Sequence, residues 1–194
     1  MALQDLTPFW VDFPFRENRT YVHSGSICNY WRDRAPDAES FDIVLKHWMA
    51  HRLVFTPLAE GVAPGGQGHV IINEDGARRI FEISEDMAHP VVARVAYDED
   101  AVPKAVDVSG GACEVAPLKG FTFFDRVISG NKALINEVLN PGVKLIAAKI
   151  STKGFPSDDA PITLKLKGNV GHRVFKSALL VNGELNGEVI YYGE

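Results

Sequence analysis

The longest amphipathic pattern in the first half of the chain predicts a helix over Phe41–Phe55. At about 100° per residue, the large apolar side chains of this segment fall on one face. Ser40 is a suitable N-cap, and Pro57 cannot continue a helix. The pattern therefore predicts a core helix of about four turns.

Upstream, residues 1–20 are predicted to form an extended arm broken by prolines. Its aromatic side chains are costly to leave in water, so we expect them to pack across a domain or a partner subunit. A short helix is predicted over Ser26–Arg34. Its N-cap is Ser24 or Ser26, and Pro36 follows its end.

Two apolar runs, His69–Ile72 and Arg79–Ile83, predict a β-hairpin in the middle of the chain. The sequence Asp75-Gly76 between them is a typical hairpin turn. Pro90–Tyr97 is predicted to be a further strand.

The last third predicts an antiparallel meander of four strands. Asn182-Gly183 indicates a type I′ hairpin turn. Phe121–Ile128 is apolar and strand-like, whereas Lys132–Leu139 fits a short helix or a strand. Residues 98–117 are predicted to be an irregular connection. The four expected strands are Val143–Ser151, Ile162–Lys167, Val174–Val181 and Glu188–Tyr192.

Composition narrows the class of protein. A length of 194 residues favours one elaborated α+β domain, with regions at 1–20, 21–97 and 121–194. The net charge is −5 and no basic stripe is present, so nucleic acid is not an expected partner. The half up to residue 97 contains eight arginines and one lysine. If the protein has a site for an anion, this half is the better place for it.

The two cysteines, Cys28 and Cys113, lie far apart and lack the paired spacing of a zinc site. Neither has a basic neighbour that would favour thiolate chemistry. The N-terminus lacks the basic region of a signal peptide, and no window approaches the length of a membrane span. We expect a cytoplasmic protein with free thiols and no membrane partner.

Several segments of the C-terminal third carry a family resemblance. They are Lys144–Ser151, the turn at 156–159, Ile162–Lys167 and the ending VNGELNGEVIYYG at 181–193, together with FTFFDRV at 121–127. These segments, about seventy residues in all, resemble the hotdog-fold acyl-thioester dehydratases and thioesterases. The resemblance implies a long helix wrapped by a curved antiparallel sheet. It also implies a homodimer and an acyl thioester of coenzyme A or acyl carrier protein as ligand.

The match to this family is partial. The dehydratases carry their catalytic histidine in a Gly-His-Phe-Pro-Gly segment, which this sequence lacks. The predicted long helix also lies far upstream of FTFFDRV, which resembles a strand near the start of the dehydratases. Either the elements follow a different order, or the N-terminal half forms a second, degenerate hotdog-like unit. The resemblance therefore supports the fold of this chain more strongly than it supports any catalytic residue.

His23 is the first candidate catalytic residue, with Ser24 and Ser26 as candidate substrate-binding residues. N–H groups at a helix N-terminus can polarise a thioester carbonyl, and a histidine there can move a proton. The alternative is that the serines cap the helix and His23 makes a local hydrogen bond.

His51 and His89 are the other candidate catalytic residues, and Trp48 is a candidate substrate-binding residue on the predicted long helix. The structural alternatives are a partly buried histidine at position 51 and a simple strand entry at position 89. His47 and His51 share the i, i+4 spacing of a helical metal site but lack a third ligand, so we expect no metal or other cofactor.

The functional hypothesis is binding, with dehydration or hydrolysis, of a small acyl thioester. The alternative is a non-catalytic hotdog-like binding or assembly protein. Asp125 and Arg126 form a charge pair within an apolar segment, and the resemblance implies a structural role for them.

Overall fold

The computed structural model describes residues 7–194, so the first six residues of the predicted arm lie outside the described residues. The chain divides between Tyr97 and Asp98 into two compact units. In each unit a helix is followed by four antiparallel strands. That the chain forms one elaborated domain stays a prediction.

The N-terminal unit is a curved antiparallel sheet with one helix, α1. The sheet order is β1-β4-β6-β5-β3, and β2 pairs in parallel with β7. The elements are β1 (Phe9–Val11), β2 (Phe15–Arg16), α1 (Ser24–Arg34), β3 (Ser40–Leu45), β4 (His51–Pro57), β5 (Gly68–Glu74), β6 (Ala77–Pro90) and β7 (Arg94–Val95).

An aromatic cluster joins α1 to this sheet. Trp31 of α1 is 1% exposed, and its ring centroid lies 4.5 Å from Phe81 and 5.4 Å from Phe55. Phe9 stacks on Phe55 at 5.4 Å. From Phe9 onward the arm therefore packs onto its own unit, which agrees with the first of the two expected alternatives, packing across a domain. Trp10 is the exception, because 57% of its surface is exposed.

The helix predicted over Phe41–Phe55 does not exist. The segment forms strand β3, a loop and strand β4, and buried and part-exposed positions alternate along β3. Phe41, Ile43 and Leu45 point inward with a period of two, which the helical pattern had concealed. The polar residues Lys46 and His47 are exposed in the loop between the strands.

The C-terminal unit contains the long helix, α3, which packs against β9, β11 and β12. The sheet order is β10-β13-β12-β11-β9-β8. The elements are α2 (Ala101–Ala105), β8 (Asp107–Ser109), β9 (Ala112–Val115), α3 (Phe123–Leu139), β10 (Leu145–Thr152), β11 (Ile162–Val170), β12 (Val174–Val181) and β13 (Glu184–Gly193). The segment 98–117, expected to be irregular, thus contains a short helix and a β-hairpin.

The strand predicted over Phe121–Ile128 is wrong, because α3 begins at Phe123 and continues through Leu139. Thr122 and Asp125 form a capping box: the Thr122 side chain accepts from the Asp125 N–H, and the Asp125 carboxylate accepts from the Thr122 N–H. This pattern of Thr followed three residues later by an acid is a helix start signal. The apolar residues around this signal led to the strand prediction instead.

The β11–β12 and β12–β13 hairpins of the predicted meander are confirmed, but the predicted tight turn that pairs its first two strands is wrong. Asn182 and Gly183 have φ values of 52° and 81°, as a type I′ turn requires. β11, β12 and β13 form a meander, whereas β10 pairs with β13 at its far side. The long connection at 153–161 allows this crossing, because it does not hold β10 and β11 in a hairpin. In the N-terminal unit, the strand predicted over 90–97 is only partly observed: Pro90 ends β6, and Arg94–Val95 form β7.

Candidate active site

His23 lies at the N-terminus of α1 and is its N-cap, a position that we had predicted for Ser24 or Ser26. The Gly25 N–H donates to His23 Nδ1 at 3.2 Å, and the Ser26 N–H donates to the His23 carbonyl at 2.9 Å. These two first-turn N–H groups are therefore engaged within the fold. His23 is only 3% exposed and Ser24 only 8%.

A buried arginine lies beside this cap. Arg16 is 7% exposed, and its Nε donates to Ser26 Oγ at 3.1 Å. Its guanidinium lies 4.4 Å from the centre of the Tyr97 ring, and that ring lies 5.9 Å from the His23 imidazole. Ser26 is thus a partner of Arg16. Neither Arg16 nor Tyr97 was singled out from the sequence.

The loop between β3 and β4 lies against the segment that precedes α1. The Val22 N–H donates to the Met49 carbonyl at 2.7 Å, and the Trp48 and Tyr21 rings lie 3.8 Å apart. Trp48 is half-buried, so part of its ring faces solvent. This contact brings Trp48 near the segment of His23, although no helix joins Trp48 to His51 as we had predicted.

His51 pairs with a carboxylate at the start of β4. His51 Nδ1 lies 3.0 Å from Glu85 Oε1, and the two side chains are 24% and 8% exposed. The same carboxylate accepts from the N–H groups of Ala50 (2.5 Å) and His51 (2.9 Å) and from Gln67 Nε2 (2.7 Å). Four contacts therefore fix the acid and orient the imidazole.

The contacts to Glu85 favour its ionised form. Burial raises the pKa of this carboxyl, but the hydrogen bonds from Ala50, His51 and Gln67 outweigh it and lower the pKa below its ordinary value. A carboxylate on Nδ1 holds the proton of a neutral imidazole on that nitrogen and leaves Nε2 as the proton acceptor. Among residues 7–194, His51 Nε2 has no hydrogen-bond partner. This His51–Glu85 dyad can act as a general base.

His89 forms a second, more exposed pair. Its Nδ1 lies 2.7 Å from Asp86 Oδ2, and its side chain is 54% exposed. The pair is local, three residues apart at the end of β6. Among residues 7–194, the His89 side chain makes no hydrogen bond to His23 or to the His51–Glu85 dyad, although the next residue, Pro90, pairs with His51 between β6 and β4. His47 and His51 do not share a helix, so the i, i+4 geometry is absent. Within residues 7–194, no three His, Cys, Asp or Glu side chains gather as metal ligands.

The charged residues of FTFFDRV are structural in the C-terminal unit. Arg126 is fully buried, and its guanidinium donates to the carbonyls of Val115 (3.2 Å), Asp158 (2.6 Å) and Ala160 (3.0 Å). Burial lowers the pKa of Arg126, against the opposing effect of nearby aspartates. Asp125 completes the cap of α3.

The cysteines offer no nucleophile. Both are buried, and neither forms a disulfide. Burial, with Asp107 and Glu114 nearby, raises the pKa of the Cys113 thiol to about 11. The thiol therefore remains protonated near neutral pH.

Two functional candidates were missed by sequence reasoning. Glu85 escaped notice because only the register of β4 with β6, interrupted by a bulge between His51 and Arg52, brings it to His51. Asn131 is the second: it is fully buried in α3, and neither end of its amide has a hydrogen-bond partner among the described residues. A buried amide without a hydrogen-bond partner is unusual, so Asn131 is a candidate functional residue.

Comparison with solved structures finds chains of similar fold. The chain is similar to GphF Dehydratase 1 (TM-score 0.51, 10% identity, covering 96% of this chain and 92% of that one). It is also similar to an acyl-ACP thioesterase from Bacteroides thetaiotaomicron (0.49, 10%, 97% and 97%) and to the 12:0-ACP thioesterase from Umbellularia californica (0.48, 8%, 100% and 99%). No protein-family model and no curated protein sequence matches the chain.

The predicted fold class is confirmed: the protein is an α+β chain of the hotdog fold. The alignment with GphF Dehydratase 1 covers nearly the whole chain, whereas the resemblance in the sequence covered only the C-terminal part. In the described residues, no helix has the length and apolar character needed to cross a membrane.

Proposed function

We propose that this protein binds a small acyl thioester, carried by coenzyme A or acyl carrier protein, and hydrolyses it. The observation that carries the proposal is the His51–Glu85 dyad in a hotdog fold. The imidazole is oriented by an ionised carboxylate, is part-exposed, and keeps Nε2 available for a proton.

In the proposed reaction, His51 Nε2 takes a proton from water as the water oxygen attacks the thioester carbonyl. Glu85 stabilises the imidazolium that forms. When the tetrahedral intermediate collapses, the C–S bond breaks and the imidazolium returns the proton to the leaving thiolate. The products are a carboxylic acid and a free thiol, so atoms and charge balance.

The other predicted site residues would act in substrate binding. We propose that Trp48 contacts the acyl group with its part-exposed ring. His23, Ser24 and Ser26 would hold the thioester end at the start of α1, with His23 serving as a positioning residue because its Nδ1 is engaged. His89, paired with Asp86 at the surface, would act on the carrier side of the substrate.

The decisive experiment measures thiol release from a panel of acyl-CoA and acyl-carrier-protein thioesters, with 3-hydroxyacyl thioesters assayed in parallel for water loss. His51→Ala should reduce turnover by about 10²–10⁴-fold. Glu85→Gln should reduce kcat and change its pH profile, because the neutral amide cannot stabilise the imidazolium. The matched control is His172→Ala, in the exposed turn before β12. Unchanged turnover in His51→Ala would refute the catalytic proposal.

The alternative is a non-catalytic binding protein, and the use of His23 as a helix cap favours it. In that case the wild-type chain should bind acyl thioesters in calorimetry but release no thiol and form no enoyl product. Saturable binding without turnover across the panel would establish this alternative. The expected homodimer is tested separately by light scattering on the purified chain.

A further inference from the structure

A cavity of about 600 Å³ lies in the N-terminal unit, at the C-terminal end of α1. Its wall comes from α1, from the ends of β4 and β6, and from the segment that leads into β1. Its lining includes Phe9, Trp31, Arg34, Pro57, Arg79 and Phe81.

The cavity is remote from the His51–Glu85 dyad. His51 begins β4 and Pro57 ends it, so the two positions are about 20 Å apart along the strand. Similarly, His23 caps one end of α1, and Arg34 is the last residue at the other, about 16 Å away along the helix. The cavity is therefore a separate site.

The cavity combines aromatic walls with positive charge. The Arg34 guanidinium lies 4.8 Å from the centre of the Phe9 ring, and it has no carboxylate partner among residues 7–194. Arg79 is already paired with Glu74. No acidic residue among residues 7–194 lines the cavity, so the charge that these residues give it is positive and the Arg34 guanidinium can bind an anion.

A second observation, the buried indole of Trp31, also points to a ligand with a polar group. Trp31 is 1% exposed, and its indole N–H is buried without an acceptor among the described residues. A buried tryptophan N–H normally has a hydrogen-bond partner. Trp31 lines the cavity and lies one helical turn before Arg34 on α1, so both side chains contribute to the same wall.

We propose that this cavity binds a small carboxylic acid with an apolar body, either aliphatic or aromatic. The carboxylate would accept a bidentate pair of hydrogen bonds from Arg34, which suits a single planar anion. The apolar body would lie against the Phe9, Trp31 and Phe81 rings. The site does not depend on the proposed hydrolysis.

The test measures binding of decanoate and 1-naphthoate by calorimetry, below the concentration at which decanoate forms micelles. The wild-type chain should bind them saturably. Arg34→Gln should weaken binding by at least tenfold, whereas Arg32→Gln, an adjacent arginine that does not line the cavity, should leave it unchanged. Decanol should bind more weakly than decanoate and be indifferent to Arg34→Gln.

Two further measurements make the proposal falsifiable. Decanoate should shift the indole N–H resonance of Trp31, which Trp31→Phe identifies among the three tryptophans. Arg34→Lys, which keeps the charge but loses the planar fork, should bind at intermediate strength. The proposal is wrong if no carboxylate binds saturably, if Arg32→Gln weakens binding equally, or if the Trp31 resonance does not respond.

The same binding assay separates this site from the proposed active site. His51→Ala should bind decanoate as tightly as wild type, and Arg34→Gln should keep the wild-type kcat for thioesters. Loss of decanoate binding in His51→Ala would place the carboxylate at the dyad and overturn the separate cavity site, whatever the outcome for hydrolysis.

Discussion

The two units build the same helix and four strands, yet they use buried charge differently. In the C-terminal unit, Arg126 is fully buried, and its hydrogen bonds to the described residues all go to backbone carbonyls. In the N-terminal unit, His51 and Glu85 form a part-exposed pair that can exchange a proton. The buried charge of the C-terminal unit is therefore bound to backbone groups, whereas the N-terminal unit keeps a pair of titratable side chains partly exposed to solvent.

Strand order also distinguishes the units. In the N-terminal unit, β4 pairs with β6, and the long connection lies between β4 and β5. In the C-terminal unit the long connection lies between β10 and β11, and the last three strands follow one another. The position of one long loop therefore changes the order of strands around the same kind of helix.

The largest expected effect tests the structural role of Arg126. Arg126→Met should lower the free energy of unfolding by about 3–5 kcal/mol, because three carbonyls lose a buried donor. Urea unfolding measures the change. Arg173→Met, at an exposed position before β12, is the control and should change stability by less than about 0.5 kcal/mol. A loss for Arg126→Met no greater than that of the control would show that the carbonyl contacts are not stabilising.

Close backbone packing in the C-terminal sheet gives the next prediction. A Cβ atom at Gly187 would meet the backbone carbonyl of Ser151 on the neighbouring strand. Gly187→Ala should therefore cost about 1–3 kcal/mol of stability. Gly168→Ala, where a Cβ would meet nothing within 4 Å, is the matched control and should cost less. Equal melting temperatures for the two variants would contradict the close approach.

The N-terminal cap of α3 gives a further prediction. Thr122→Ala removes the side chain that accepts from the Asp125 N–H and should cost about 1 kcal/mol. Thermal unfolding measures this loss. Thr122→Ser retains the hydroxyl and should restore most of the stability. If Thr122→Ser is no better than Thr122→Ala, the cap of α3 does not depend on that hydrogen bond.

The smallest expected effect is the pH dependence contributed by Glu85. Because its pKa is lowered in the folded chain, its contribution to stability is present above the ordinary carboxyl pKa and is lost as the pH falls through the folded value. The difference in stability between wild type and Glu85→Gln should therefore shrink as the pH falls over that range. Denaturant unfolding at several pH values tests this.

The control for that series is Glu60→Gln, in the exposed loop after β4. Its difference from wild type should be small and should not follow the same pH dependence. A Glu85→Gln difference that is constant with pH would show that the Glu85 contacts do not favour the carboxylate.

The site was predictable only in part. His51 was predicted as a site residue from the sequence, but on a helix that the structure does not contain. Its partner Glu85 is brought to it by the register of β4 with β6. His23 was correctly placed at the start of α1, where it acts as the cap itself. The sequence also indicated that any anion site would lie in the arginine-rich half, and the site that we propose at Arg34 lies there. No local pattern could assemble the cavity beside it, because its wall combines a helix end with two strands.

The sequence by itself determined the local features whose chemistry is complete within a few residues. Asn182-Gly183 requires positive φ at a type I′ turn, and the Asp75-Gly76 hairpin follows from its turn residues and the flanking strands. Only the tertiary structure decided whether Phe41–Phe55 and Phe121–Ile128 are helix or strand. Short apolar runs fit both periods, and long-range packing against the sheet selects between them. The same long-range pairing created the His51–Glu85 dyad, for which sequence spacing carries no signal.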